Sequence, residues 1–112
     1  MWKEIKNYEN YEINENGIVR SKRTKKPMST FSNKNFYVRV NLSVKGKKVK
    51  PLVHVLVANT FVDNPYQLKE VDHINDQRDD NRSCNLRFVT HSENVKKSWI
   101  NRRRNMLKGE QL

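Results

Sequence analysis

The chain contains a single cysteine, Cys84, among its 112 residues. A lone cysteine excludes an intramolecular disulfide and a cysteine-rich zinc site, and it fits a reducing, intracellular setting. Long apolar runs are also lacking: the first six residues contain no signal-peptide core, and no stretch approaches the length needed to cross a bilayer. We therefore expect the protein to stay in the cytoplasm.

Acidic residues are scarce relative to basic ones, with 12 Asp and Glu against 23 Lys and Arg, which gives a net charge of +11. Phosphate backbones favour such a charge through counterion release, so a DNA or RNA partner and strongly salt-dependent binding are expected. A solubilising surface without a partner is the alternative. A membrane surface is disfavoured, because no basic amphipathic anchor stands apart from the fold.

Short apolar segments around polar turns predict antiparallel hairpins in the first half of a single, ordinary-sized domain. Residues 8–13 and 18–21 flank an Asn-Gly dipeptide, which is typical of tight turns with positive φ. A basic, exposed loop is predicted over residues 22–27. From Phe36 to Val44, apolar and polar residues alternate, which predicts one half-buried strand, and a turn then leads to a second strand that ends near Pro51.

The second half predicts a helix, two short strands and a second helix. Residues 53–61 carry apolar side chains at three-and-four spacing, which is typical of one face of a short helix. Two short strand-like segments, 70–74 and 86–89, flank a loop of unusual polarity. Residues 90–93, Thr-His-Ser-Glu, have the form of a capping box, which predicts a helix that begins at about His91.

This order of strand, loop, strand and helix places three chemically apt side chains close together. Asp72 and His73 lie where the first strand meets the loop, and Asn94 lies in the first turn of the helix. Successive strand residues point to opposite sides, so Asp72 and His73 diverge unless the strand ends there. The loop must therefore help to aim them.

Residues 71–94, with the sequence VDHINDQRDDNRSCNLRFVTHSEN, resemble the HNH motif of phage and intron-encoded homing endonucleases. The preceding VHVLVANTF of residues 53–61 resembles the helix that usually stands ahead of that motif. Residues 2–21, WKEIKNYENYEINENGIVRS, are similar to the short module found before HNH domains. Together these segments cover well over half the chain in the family's order.

The resemblance implies an α+β fold, with a ββα-metal nuclease core over residues 51–112 preceded by small antiparallel β-hairpins. Residues 1–50 would form a β-rich module that contacts DNA. The implied activity is hydrolysis of a phosphodiester bond in double-stranded DNA, as by a nickase or homing endonuclease. The resemblance also implies a phage-encoded protein that acts at the nucleoid in the cytoplasm of a bacterial host.

The resemblance assigns roles residue by residue. His73 matches the general base, and Asp72 and Asn94 match the ligands of one divalent cation, Mg²⁺ or Mn²⁺. Asn85 matches the central asparagine that ties the loop together and helps to orient the histidine. His91, within a turn of Asn94, is a candidate for an additional metal ligand or a phosphate contact.

These roles suit the chemistry of the residues. An imidazole has a reference pKa of about 6.5, so at neutral pH it can accept a proton. A hard cation such as Mg²⁺ prefers oxygen ligands, commonly one or two from protein, so one carboxylate and one amide suffice. Plainer roles stay open: a surface histidine for His73, a turn cap for Asp72 and a solvent-facing position for Asn94.

Basic side chains on the exposed N-terminal loop and the last helix are the candidates for DNA backbone contacts. They are Arg20, Lys22, Arg23, Lys25, Lys26, Lys96, Lys97, Arg102, Arg103 and Arg104. Two features depart from the family's pattern. Asp76 stands where the loop usually has glycine, which asks Asp76 to adopt a left-handed conformation, and Asp79 and Asp80 add negative charge beside the DNA path.

Two further hypotheses come from other functional classes. A catalytically inactive, basic DNA-binding protein on an HNH scaffold would bind DNA in a salt-sensitive way without cutting it. A small structural zinc or RNA-binding domain is disfavoured as a zinc site, because one cysteine and three well-spaced histidines supply few ligands. The chain ends soon after the last helix, so we expect low sequence specificity or specificity supplied by a partner or by dimerisation, and the oligomeric state stays open.

Overall fold

The structure is a computed structural model and describes residues 1–97. Its elements are, in chain order, β1 (Lys3–Ile5), β2 (Tyr8–Ile13), β3 (Val19–Ser21), β4 (Thr30–Ser32), β5 (Val38–Val40), β6 (Leu42–Val44), β7 (Lys47–Val49), α1 (Val53–Phe61), β8 (Glu70–His73) and β9 (Leu86–Val89). A second helix, α2, covers residues 91–97 of the described chain. Every strand pair is antiparallel, which confirms the predicted α+β class with small hairpins.

The first sheet has the order β1-β2-β3, and its second hairpin is the one predicted from the Asn-Gly dipeptide. In the turn, the Asn14 side-chain oxygen accepts hydrogen bonds from the backbone N–H groups of Asn16 and Ile18, both at 3.0 Å. Gly17 has φ +85°, a conformation that costs glycine little. The predicted tight turn is confirmed, and β1 is an additional strand.

The predicted single strand from Phe36 to Val44 is wrong in one respect, because the structure divides it at Asn41. β5 pairs with β4, whereas β6 pairs with β7. The Asn41 backbone N–H donates to the Ser29 carbonyl at 3.0 Å, and its side-chain amide donates to the Ser29 hydroxyl at 2.9 Å. Because of these bonds, Asn41 belongs to neither strand pair, and the segment passes there from pairing with β4 to pairing with β7. The apolar residues on both sides of Asn41 still face the core.

Helix α1 has the bounds that the apolar spacing predicts, and it lies at the centre of the core. Val53, Val57 and Ala58 are buried on its inner face. They pack in one hydrophobic cluster that draws residues from both halves of the chain: Ile5, Tyr11, Ile13, Val19, Val40, Leu42, Leu56 and Leu86. The N-terminal sheet and the β8–β9 hairpin are therefore held by a shared core, which fixes the position of the hairpin relative to α1.

No helix within residues 1–97 is long and apolar enough to cross a membrane.

Candidate active site at the β8–β9 hairpin

Strands β8 and β9 pair in the register Asp72 with Arg87 and His73 with Leu86, and helix α2 follows β9 directly. The helix begins where the capping box predicts, because the Thr90 hydroxyl accepts a hydrogen bond from the Glu93 backbone N–H at 3.2 Å. The strand, loop, strand and helix order over the described part of this segment is thereby confirmed. Of the candidate residues, Asp72 and His73 lie on β8, Asn85 lies at the end of the loop, and His91 and Asn94 lie on α2.

Asn85 ties the two ends of that loop together. Its side-chain oxygen accepts from the Asn75 backbone N–H at 3.1 Å, and its amide donates to the Asn75 side chain and to the Asp80 carbonyl, both at 2.9 Å. The side chain is buried, so these bonds replace lost water contacts. The structure thus places Asn85 as a clamp on the loop, and its side-chain bonds go to the loop and not to the His73 ring.

The turn after β8 has the unusual backbone that the sequence predicts. Asp76 has φ +64°, and its N–H donates to the His73 carbonyl at 3.0 Å. Further along, Arg82 makes two hydrogen bonds of 2.8 Å to the Asp80 carboxylate. The Arg82 guanidinium holds the pKa of Asp80 well below its usual range, so Asp80 is ionised and its charge is paired with Arg82.

His73 is buried at the end of β8, with 5% of its surface exposed. Its Nε2 lies 2.8 Å from the side-chain oxygen of Asn81, which is also buried. A carbonyl oxygen can only accept, so Nε2 carries the hydrogen and donates it. The lone pair of the neutral ring is then on Nδ1, and this nitrogen is the one that can accept a proton.

Asn81 is the residue that the sequence analysis missed, and the N-terminal hairpin holds it in place. A Cβ atom on Gly17 would lie 3.3 Å from both the Cβ and the carbonyl oxygen of Asn81, so the absence of a side chain at Gly17 allows this close approach. Two residues on, the Ser83 N–H donates to the Glu15 carbonyl at 2.8 Å. The turn of the first sheet therefore supports the loop that orients His73.

His73 also lies in a cluster of three rings with Tyr37 and His54. The ring centroids of His54 and His73 are 4.9 Å apart, and Tyr37 stacks on His54 at 5.2 Å. Burial, and then repulsion from His73 and Arg39, lower the pKa of His54 to about 4. His54 is therefore a neutral packing residue at pH 7, and its Nδ1 has no hydrogen-bond partner in the described part of the chain.

The depressed pKa of His54 predicts a loss of stability in mild acid. In the unfolded chain this group has a pKa of about 6.5, so below that value the unfolded state binds more protons than the folded state. The free energy of unfolding should be unaffected by His54 above pH 6.5 and should fall by up to about 3 kcal/mol between pH 6.5 and pH 4. Urea unfolding across this range measures it. His54→Phe keeps a ring in the cluster and should flatten the profile, and an identical pH slope in both proteins would contradict this assignment.

The Asp72 side chain, next to His73 in β8, is bonded to two basic residues. Its buried carboxylate accepts from Arg87 Nε at 3.0 Å across the strand pair, and from Lys97 Nζ at 3.1 and 2.9 Å. Within residues 1–97, the side chains of Asp72 and His73 share no hydrogen-bond partner, as the alternation of strand residues predicts. Lys97, one of the predicted phosphate contacts, donates to Asp72 in this structure.

Asn94 and His91 lie on α2 and differ in exposure. Asn94 is half-buried and stands three residues before Lys97, so it shares the helix face from which Lys97 reaches Asp72. His91 is exposed, and its Nδ1 lies 3.0 Å from the Glu70 carboxylate. Its described partner is thus an acid on β8 and not the Asp72 carboxylate.

The basic residues of the N-terminal loop are partly engaged with acids. Arg20 and Lys25 bond Glu12 at 2.7 and 3.0 Å, and Lys22 bonds Glu4. Within residues 1–97, Arg23 and Lys26 make no ion pair, so they are the freer cations of this loop. Lys96 on α2 is exposed, whereas Arg102, Arg103 and Arg104 lie outside the described residues.

The oxygen atoms around Asp72 suit a hard cation. Among the described residues, no cluster of three or more histidine, cysteine, aspartate or glutamate side chains could hold a metal ion. A metal here would therefore depend on amide or carbonyl oxygens in addition to the Asp72 carboxylate, which is the donor set that Mg²⁺ accepts. The positively charged Lys97 ammonium is bonded to this carboxylate, so the site accommodates positive charge.

Comparison with known families matches two parts of the chain. Residues 1–43 match the NUMOD4 motif, and residues 52–96 match a family described as HNH endonuclease. The β8–β9 hairpin, its loop and the start of α2 all lie inside the second match.

Known proteins of similar sequence include two viral endonucleases. The DNA endonuclease I-HmuI of Bacillus phage SP01 is 35% identical over 112 residues, which cover 99% of this chain and 64% of that protein. The uncharacterised HNH endonuclease L247 of Acanthamoeba polyphaga mimivirus is 42% identical over 100 residues, covering 85% of this chain and 25% of that protein. This chain thus spans less than two thirds of either relative.

A solved structure shows the same fold. This structure, of the HNH homing endonuclease I-HmuI, concerns DNA binding and cleavage by that enzyme. The present chain superposes on it with a TM-score of 0.80 and is 36% identical to it in sequence. The match covers 90% of this chain and 59% of that one.

Proposed function

We propose that this chain, a member of the HNH endonuclease family with a NUMOD4 motif at its N-terminal end, hydrolyses phosphodiester bonds of double-stranded DNA with one divalent cation. The observation that carries the proposal is the buried His73 ring, whose Nε2 is bonded to Asn81 at 2.8 Å and whose Nδ1 is left as the acceptor. A fixed imidazole with a free lone pair is what general-base catalysis requires.

His73 acts as the general base and accepts the proton of the attacking water at Nδ1. Asp72 and Asn94 would hold Mg²⁺ or Mn²⁺ through one carboxylate and one amide oxygen. When bound, the cation supplies charge stabilisation for the phosphate and for the departing oxygen. Asn85 keeps the loop closed, and Asn81 keeps the His73 ring in one orientation and one tautomer.

DNA as the substrate is supported by charge and by the relatives. The net charge of +11 favours a polyanion, and the similar phage protein is named a DNA endonuclease. We assign DNA contacts to residues 1–50 and cleavage to residues 51–112. Among the predicted DNA contacts, Arg23, Lys26 and Lys96 are exposed and make no ion pair within residues 1–97, so we assign phosphate contacts to them first. Action on DNA at the host nucleoid is part of the same proposal.

Metal-dependent cleavage of a supercoiled plasmid tests the proposal. The protein should convert the plasmid to nicked or linear DNA with Mg²⁺ or Mn²⁺. EDTA should abolish the conversion, because without the cation the phosphate and the departing oxygen lose their charge stabilisation. Asp72→Asn should lower the rate by roughly 100-fold or more, since a charged ligand is lost. Gel quantification of the three plasmid forms separates single-strand from double-strand cutting.

The same assay decides between the enzyme and a binding protein on an HNH scaffold. Electrophoretic mobility shifts, run in parallel, report DNA affinity. DNA binding without cleavage at any metal concentration would favour the binding protein, and cleavage that resists EDTA would contradict the metal site.

A further inference from the structure

The Lys97 ammonium lies in a pocket of oxygen atoms at the start of the catalytic loop. Besides the Asp72 carboxylate, at 2.9 and 3.1 Å, it contacts Asp76 Oδ1 at 2.9 Å. It also donates to the carbonyl oxygens of His73 at 2.6 Å and Ile74 at 3.3 Å. Two carboxylates and two carbonyls thus surround one positive charge.

This pocket has the composition of a site for a hard metal ion. Carboxylate and carbonyl oxygens are the ligands that Mg²⁺, Mn²⁺ and Ca²⁺ prefer. Lys97 pairs with the buried Asp72 carboxylate and so offsets the free-energy cost of burying that charge. Without Lys97, Arg87 would be the remaining described partner of Asp72. The lysine and a divalent ion at Asp72 would repel each other strongly at such short range.

We propose that Lys97 is an internal cation that occupies the Asp72 site when no divalent ion is bound, and that the ion must displace it. The inference rests on the proposed function, because it takes Asp72 to be a metal ligand. Asp76 holds the lysine from the loop side, and its left-handed backbone, with φ +64°, places it in the turn beside the strand end. Once displaced, the Lys97 ammonium is released for a phosphate, the partner that its place on a basic helix predicts.

Competition of this kind lowers the apparent affinity for the metal ion. Lys97→Met removes the charge and keeps most of the length of the side chain. The variant should bind Ca²⁺ roughly tenfold more tightly than the wild type, which is within the usual range of coupling between two sites. Isothermal titration calorimetry with Ca²⁺ alone, in the absence of DNA, measures this without any contribution from cleavage.

Lys96→Met is the matched control, because it removes the same charge from the neighbouring, exposed position. Its Ca²⁺ affinity should stay within about twofold of the wild type, since a solvated charge is largely screened. Equal affinities for the wild type and Lys97→Met, or weaker binding by Lys97→Met, would overturn the competition and leave the metal site standing. Failure of all three proteins to bind Ca²⁺ would overturn both proposals.

Thermal unfolding gives a second, independent measurement. Without metal, Lys97→Met should melt at a lower temperature than the wild type, because Asp72 keeps one cationic partner in place of two. Saturating Ca²⁺ should remove most of this difference by supplying the missing charge. A melting difference that stays the same with and without Ca²⁺ would mean that Lys97 is a structural ion pair and would overturn the proposal.

Discussion

Replacing His73 with alanine should lower the rate of DNA cleavage by about 10²- to 10⁴-fold, the usual contribution of a positioned general base. The ring is buried, and its Nε2 is occupied by Asn81, so Nδ1 is the nitrogen left to accept a proton from water. Because the ring contributes no charge to DNA binding in its neutral form, affinity should change little. Single-turnover cleavage with excess enzyme isolates the chemical step from substrate binding and product release.

The control for this experiment is the other histidine near the loop. His91→Ala removes an imidazole that is exposed and paired with Glu70, so its effect should be far smaller than that of His73→Ala. DNA affinity in Ca²⁺ and the melting temperature establish that both variants fold and bind. Wild-type cleavage by His73→Ala, or a larger loss in His91→Ala, would refute the role of His73.

Most elements around the site could be predicted because each follows from a local pattern. The apolar spacing of residues 53–61 defines α1, and the Thr90–Glu93 capping box defines the start of α2. Strands β8 and β9 correspond to two short strand-like segments on either side of a polar loop. In each case the signal lies within about ten residues and requires no knowledge of distant partners.

The division of the strand at Asn41 could not be predicted in this way. The alternation of apolar and polar residues is unbroken from Val38 to Val44, and it reports which side chains face the core. It does not report which strand lies alongside. The change of partner depends on bonds to Ser29, twelve residues earlier, and on the separate pairing of β7.

Side-chain contacts of the loop between β8 and β9 could not be predicted from local sequence either. Asn81 and Asn85 are four residues apart in a polar segment, and the sequence contains no local signal for which of them reaches His73. The answer depends on the path of the loop, which the Asn85 bonds to Asn75 and Asp80 define. Lys97 is a second case, because a basic helix face predicts a phosphate contact, whereas the turn of α2 brings this lysine to a buried carboxylate on β8.

Asn81→Ala should lower the cleavage rate on the order of 100-fold, the scale of loss expected when a reacting group is misplaced by about 1 Å. Without the Asn81 oxygen, Nε2–H has no acceptor among residues 1–97, so the His73 ring is free to turn or to exchange its proton between the two nitrogens. Either change moves the Nδ1 lone pair away from the attacking water. Single-turnover rates measure the loss, and unchanged DNA affinity shows that the loop still folds against Gly17.

Asn81→Asp distinguishes orientation of the ring from simple packing. The aspartate keeps an acceptor for Nε2–H and has nearly the same shape, so much more activity should remain than in Asn81→Ala. Its negative charge stabilises the protonated imidazole, so the acid limb of the pH–rate profile should move to higher pH. If Asn81 were only a packing residue, both variants would change in stability and the acid limb would stay at its wild-type pH. That result would contradict a role of Asn81 in holding the general base.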